Sequence, residues 1–214
     1  MSTPSIKLYY FDLRGFGEYI RLLLIDQKIP FEDIRIPFEG PEWESLKETM
    51  IFGTMPCLKI VTENTEKCIV QTGAILRHLG RVYGLNGAME NEETFLDMFL
   101  ECVRDMRMDF ALAIREDEAT KHHCLTVTIP NALEKLQKLF LLHPGAFTLG
   151  KKITYVDYTL FEELDVYNCV DSKILEGFPV LKDFWKAMWD RENLKKYLEK
   201  RRQEKVWING ALRT

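Results

Sequence analysis

Within residues 6–36 the apolar period changes twice, and that change restricts the fold more than anything else in the chain. Ile6, Leu8 and Tyr10 alternate as on one face of a strand, and Tyr19, Ile20, Leu23 and Leu24 then recur at helical spacing. After Pro30, which ends the helix, Phe31 to Ile36 reads as a second strand. A strand, a helix and a strand in succession make a unit whose strands lie parallel, joined by a right-handed crossover. The segment Phe11 to Gly15 is therefore a turn at a helix start, where unpaired backbone amides attract an anion. Tyr10 stands at the end of the strand and puts a phenol within reach of that anion. Tyr9, by the same alternation, points to the opposite face.

Further along, Pro41 opens a short helix carrying Trp43, Leu46 and Lys47. Phe52-Gly53-Thr54-Met55-Pro56 is turn-like and feeds a strand from Cys57 to Val61. Glu63 to Glu66 is a polar turn into a strand from Cys68 to Val70. Thr72 then caps a helix with Ile75, Leu76, Leu79 and Val82 on one face, which Gly84 and Gly87 end. The order β-α-β-α-β-β-α, complete by about residue 83, predicts an α/β thioredoxin-like domain over 1–83. Beyond a linker at 84–91 the helical period holds almost to the end, and 92–214 reads as an all-α domain. Examples are Phe95, Met98, Phe99, Cys102 and Met106, then Leu133, Leu136, Leu139 and Phe140. Thr154-Tyr155-Val156-Asp157 has the spacing of a capping box, with the acid variant at its fourth position.

Composition removes several function classes. With 29 Lys+Arg against 33 Asp+Glu the formal net charge is -4, so there is no polybasic footprint for nucleic acid or an anionic membrane. No apolar run approaches membrane-spanning length, and no secretory leader opens the chain, which is the pattern of a soluble, cytoplasmic protein. Five cysteines without a C-x-x-C pair suit reduced thiols better than a disulfide framework. His122, His123 and Cys124 are adjacent and point to different sides of a helix, so no metal is assigned. A disulfide exchanger would place a cysteine at the first helix start, and Phe11 to Gly15 has none.

Tyr10-Phe11-x-x-Arg14-Gly15, at the front of an α/β domain joined to a helical one, resembles the cytosolic glutathione transferases. The passage Val70-Gln71-Thr72-Gly73-Ala74-Ile75-Leu76-Arg77-His78-Leu79-Gly80-Arg81 is similar to the pi class, in particular its invertebrate members. The capping box and the Ile208-Asn209-Gly210 tail fit as well, while Trp43-x-x-x-Lys47 has a spacing closer to the sigma class.

The resemblance implies a site residue by residue. Tyr10 matches the catalytic tyrosine, whose hydroxyl donates a hydrogen bond to the sulfur of glutathione, the co-substrate. A thiol ordinarily ionises near ~8.5, and lowering that by about two units takes roughly 2.7 kcal/mol. One hydrogen bond to a charged group supplies about 1.5 to 3 kcal/mol, so a single hydroxyl nearly suffices. Gln71 and Thr72 match the pair holding the γ-glutamyl carboxylate. Trp43 and Lys47 match residues at the glycine end, and Met55-Pro56 matches a cis peptide whose backbone pairs with the cysteinyl part. Asp105 matches an acid reaching the neighbouring subunit's glutathione, and Phe52 an aromatic inserted into that partner, so the resemblance implies a homodimer. Phe11, Phe16, Phe38, Ala111 and Arg115 match the pocket for a hydrophobic electrophile.

Three positions depart from the pi pattern. Phe16 stands where vertebrate members usually have arginine, Thr54 replaces a glutamine or asparagine, and Arg115 stands in place of a pocket tyrosine. Phe16 and Thr54 thus reshape the glutathione contacts. Each residue alone has a plainer reading: Thr72 as a helix cap, Trp43 and Phe52 as packing aromatics, Asp105 and Lys47 as solvated helix charges. Their joint order favours conjugation of glutathione to hydrophobic electrophiles. The alternatives are a sigma-like prostaglandin isomerase or glutathione peroxidase, kept open by Trp43-x-x-x-Lys47, or a non-catalytic ligand-binding or structural relative.

Overall fold

The computed structural model describes residues 4–209, so Gly210 of the expected tail lies outside the described residues. Four strands, β1 (Ser5–Phe11), β2 (Glu32–Ile36), β3 (Cys57–Val61) and β4 (Glu66–Val70), form one sheet in the order β2-β1-β3-β4. β1 and β2 are parallel, and the other two pairings are antiparallel. The period-two pattern decides the faces: Ile6, Leu8 and Tyr10 are buried on one side. On the other side the row Tyr9, Cys57, Val70 runs across three strands and packs with Met50, Trp43 and Leu46.

Helix α1 (Gly17–Asp26) fills the crossover and is buried on nearly every side, its charged residues included. Helix α2 (Pro41–Lys47) starts at its proline, as expected, and a one-turn 3-10 segment, Ile51–Gly53, follows. Helix α3 (Thr72–Tyr83) buries Ile75, Leu76 and Leu79, whereas Val82 is exposed. Its last carbonyls meet Gly84 at φ +66, the left-handed position that glycine adopts without strain.

Beyond α3 the elements are helices: α4 (Glu90–Ala113), α5 (Glu118–His123), α6 (Ile129–Phe140), α7 (Tyr155–Val170), α8 (Pro179–Trp189) and α9 (Glu192–Gln203), with a π turn over Cys124–Thr128. The fold is thus a thioredoxin-like domain followed by an all-helical one. Along α4 the buried set includes Phe95, Phe99, Val103, Met106 and Phe110, but Met98 and Cys102 are exposed on another side of the helix. The capping box at α7 is formed, and its Asp157 carboxylate accepts from the Thr148 and Thr154 amides at 2.8 and 2.6 Å.

Compactness divides the chain differently from its element types. Residues up to Leu79 group with those from Glu192 onward, and Gly80–Arg191 forms the second unit. The expectation was a helical domain over 92–214. The last helix packs on α1 of the first unit, where α9 brings a buried arginine and a half-buried tyrosine to a carboxylate. Tyr197 donates to Glu18 at 2.8 Å, and Arg201 at 2.7 Å.

Candidate active site

Tyr10 ends the buried face of β1, and its hydroxyl accepts the Phe16 backbone N–H at 3.0 Å across the turn into α1. A hydroxyl has two acceptor lone pairs and one proton to give, so accepting this amide strengthens it as a donor. The turn differs here from the expected set of open amides. Arg14 N–H donates to Trp207 O at 2.7 Å and Gly15 N–H to Ile208 O at 2.9 Å, so the returning chain end satisfies both. The Arg14, Gly15 and Phe16 amides at the start of α1 are thus all taken, the last of them by the phenol.

Two glycines, Gly15 of the front motif and Gly17, which the sequence pattern alone did not single out, set the phenol's position. A Cβ on Gly17 would lie 2.4 Å from the Tyr10 ring, and one on Gly15, where φ is +44, would lie 2.5 Å from its hydroxyl. Arg21 closes the remaining side, its guanidinium 5.7 Å from the ring centroid. That guanidinium is held by Asp33 at 3.0 Å, the Leu13 carbonyl at 2.7 Å and Glu18 at 3.3 Å. The recurrence of glycine in Gly15-Phe16-Gly17 was the available signal for the close approach.

Beside Tyr10 the aromatics interlock. Phe11 meets Tyr10 at 5.6 Å, Trp43 at 5.3 Å and Phe38 at 5.2 Å between centroids, each edge to face. Phe16 makes a similar contact with Tyr19, and Lys47 is exposed at the end of α2. The first unit thus brings Tyr10, Phe11, Trp43 and Phe38 into one continuous aromatic set.

The loop before β3 supplies backbone. The Met55-Pro56 peptide is cis, as expected for this position. Thr54, one residue earlier, has a buried hydroxyl oxygen with no hydrogen-bond partner among the described residues. A buried polar atom without a partner is costly, and a bound polar ligand would satisfy it.

At the β4–α3 junction Gln71 takes φ +71, a left-handed conformation uncommon for a residue with a side chain. Thr72 is the first helical residue rather than the cap, so the expected N-cap role moves to Gln71, whose carbonyl accepts the Ile75 amide. The amides of Thr72, Gly73 and Ala74 precede the helix's own bonds, which is the usual anion-attracting arrangement.

In the second unit, Asp105 is exposed on α4 and lines a cavity of about 500 Å³ with Cys102, Met106, Val127, Leu136 and Leu139. Ala111 lies in the last turn of α4, and Arg115, exposed, lies just past its end. Phe52 is 80% exposed and has φ +59, in a loop of the first unit. Neither feature is explained by packing within the chain.

The chain matches the N-terminal domain model of glutathione S-transferases over residues 6–81 and the C-terminal domain model over 104–201. This protein belongs to the glutathione S-transferase family. It is 58% identical to glutathione S-transferase P 10 of Caenorhabditis elegans over 98% of this chain and 97% of that protein. The solved pi-class glutathione S-transferase of Onchocerca volvulus superposes with a TM-score of 0.90 at 43% identity, covering 98% and 99% of the two chains. Prostaglandin synthase D of Nilaparvata lugens superposes with a TM-score of 0.79 at 30% identity, over 92% and 98%. Both measures therefore favour the pi-class relative over the prostaglandin synthase.

Proposed function

We propose that this enzyme conjugates glutathione to hydrophobic electrophiles, with Tyr10 donating its hydroxyl proton in a hydrogen bond to the bound thiolate. The observation that supports the reading is the Phe16 amide on the Tyr10 hydroxyl, which occupies one of the oxygen's two lone pairs and strengthens the phenol as a donor. Glutathione would run from Gln71 and Thr72, at its γ-glutamyl carboxylate, past the Thr54 hydroxyl and Met55 backbone, to Trp43 and Lys47 at the glycine end. Phe11, Phe16 and Phe38 would face the electrophile, and Ala111 and Arg115 are assigned to the same role by family resemblance. The sulfur attacks the electrophilic carbon, and the leaving group or addition product takes the charge.

The test is the ultraviolet difference spectrum of bound glutathione across pH. A charged hydrogen bond of about 1.5 to 3 kcal/mol corresponds to roughly one to two pKa units. The bound thiol is expected to ionise below its free value in the wild type and to rise by that amount in Tyr10→Phe. An unperturbed thiol in both proteins would remove Tyr10 from the mechanism.

We further infer a cytoplasmic homodimer in which Phe52 of one subunit enters the α4–α6 cavity of its partner. An exposed aromatic on one unit and, on the other, a cavity where Met106, Val127, Leu136 and Leu139 stand beside polar residues suit a two-fold contact made twice. The same contact would bring Asp105 toward the partner's glutathione. A central aromatic anchor is worth about 2 kcal/mol or more, so Phe52→Ala is expected to raise the dimer Kd by over ~100-fold across two symmetric copies. Sedimentation at micromolar concentration reads this directly, and an unchanged dimer would rule out the insertion.

A further inference from the structure

On the sheet face opposite α1, two thiols from neighbouring strands touch. Cys57 Sγ and Cys68 Sγ are 2.8 Å apart, well inside the ~3.5–4.0 Å at which non-bonded carbon atoms pack. The antiparallel register pairs Cys57 with Val70 and Lys59 with Cys68, so the two cysteines are diagonal neighbours whose side chains share a face. Trp43 and Leu46 of α2 and Met50 cover them. Cys57 is fully buried and Cys68 only half-buried, which makes Cys68 the more accessible of the two.

We propose that Cys57 and Cys68 are a redox-modification site, which glutathione disulfide closes to an intramolecular disulfide. The ladder already fixes both backbones, so the sulfurs need to close by less than ~1 Å to reach the ~2.05 Å of a disulfide. Accessibility sets the order of steps. The Cys68 thiolate attacks one sulfur of glutathione disulfide, forming a mixed disulfide and releasing one glutathione. Burial, then the hydrogen bond to Cys68, pushes the Cys57 thiol up to about 12, so Cys57 remains a thiol at the first step. Cys57 then loses its proton and attacks Cys68 Sγ, and the second glutathione leaves. The two thiol protons end on the two released glutathiones, and the two electrons pass from the cysteines to glutathione disulfide. The second step is intramolecular between atoms in contact, so the mixed disulfide does not accumulate.

Non-reducing tryptic mapping after incubation of the full chain with millimolar glutathione disulfide tests this. The expected product joins peptide 48–59 to peptide 68–77, and dithiothreitol separates them. In Cys57→Ser, peptide 68–77 is expected to carry one glutathionyl group instead, and Tyr10→Phe is expected to crosslink as the wild type does, which separates this site from the catalytic assignment. The proposal is overturned if wild-type peptides 48–59 and 68–77 remain free thiols while the exposed Cys102 and Cys169 react. It is equally overturned if wild-type peptide 68–77 stays glutathionylated without a crosslink. Both readouts need only the wild-type protein.

Discussion

Gly17→Ala is expected to lower kcat/KM for conjugation by about 100-fold or more while leaving the helix it opens intact. The new methyl would sit 2.4 Å from Tyr10 Cδ1 and 2.5 Å from Cγ, where ordinary contact begins at 3.4 Å. The phenol must therefore retreat by about 1 Å, and a displacement of that size in a catalytic group costs on the order of 10²-fold in rate. The obstruction is purely steric, since the backbone of Gly17 is helical and alanine is the better helix former by up to about 1 kcal/mol. Moving the ring also breaks the amide-to-phenol hydrogen bond from Phe16, so the bound thiol's pKa is expected to rise along with the fall in rate. Gly17 touches none of the groups assigned to the glutathione carboxylates, so KM for glutathione is expected to change far less than kcat. Stopped-flow spectra of the thiolate and steady-state kinetics on the two proteins decide the matter. A Gly17→Ala enzyme with full activity would mean that the tyrosine is not held by this contact.

Most of the first unit was legible because alternation and helical spacing are direct consequences of burial. Ile6, Leu8 and Tyr10 had to share a face there, and in the second unit Thr154 and Asp157 had to cap a helix, whatever the rest of the chain did. What the pattern could not show is contact between residues far apart in sequence. Trp207 and Ile208 occupy the amides of Arg14 and Gly15, which removes the open anion site that local reasoning predicts. The exposure of Met98 and Val82 escaped for a related reason: an apolar residue on a helix marks a face that is covered by something, and the covering partner need not belong to the same chain. Cys57 and Cys68 were each readable as buried or half-buried strand residues, but only the strand register puts their sulfurs together. Least legible of all were the charges inside the first unit. Arg14, Glu18 and Arg21 read as surface residues by type, and all three are buried.

Those charges make the second large prediction. Glu18 lies 1% exposed between Arg21 and Arg201, its carboxylate also accepting the Tyr197 hydroxyl. Burial by itself would raise its pKa, but the guanidinium groups of Arg201, Arg21 and Arg14 outweigh that and hold it down at about 2. Glu18→Gln keeps the shape and removes the charge, which leaves buried guanidinium groups without this counter-ion. Breaking a buried ion pair in this way costs about 3 to 5 kcal/mol, or roughly 10 °C in Tm for a chain of this size. The folded-state pKa lies below the ordinary value of 4.5, so the carboxylate's contribution is complete above about pH 4.5 and is lost as pH falls toward 2. The wild type is therefore expected to lose stability across that window, and Glu18→Gln to lose much less because its side chain has no proton to gain. Denaturant unfolding at pH 7 and at pH 3 measures both effects. Because α9 meets α1 through Glu18, the same substitution is also expected to speed hydrogen exchange in 192–203 ahead of the sheet. Equal protection of that helix in the two proteins, or parallel pH dependences, would show that apolar packing by Leu194 and Leu198 rather than the buried charge holds it in place.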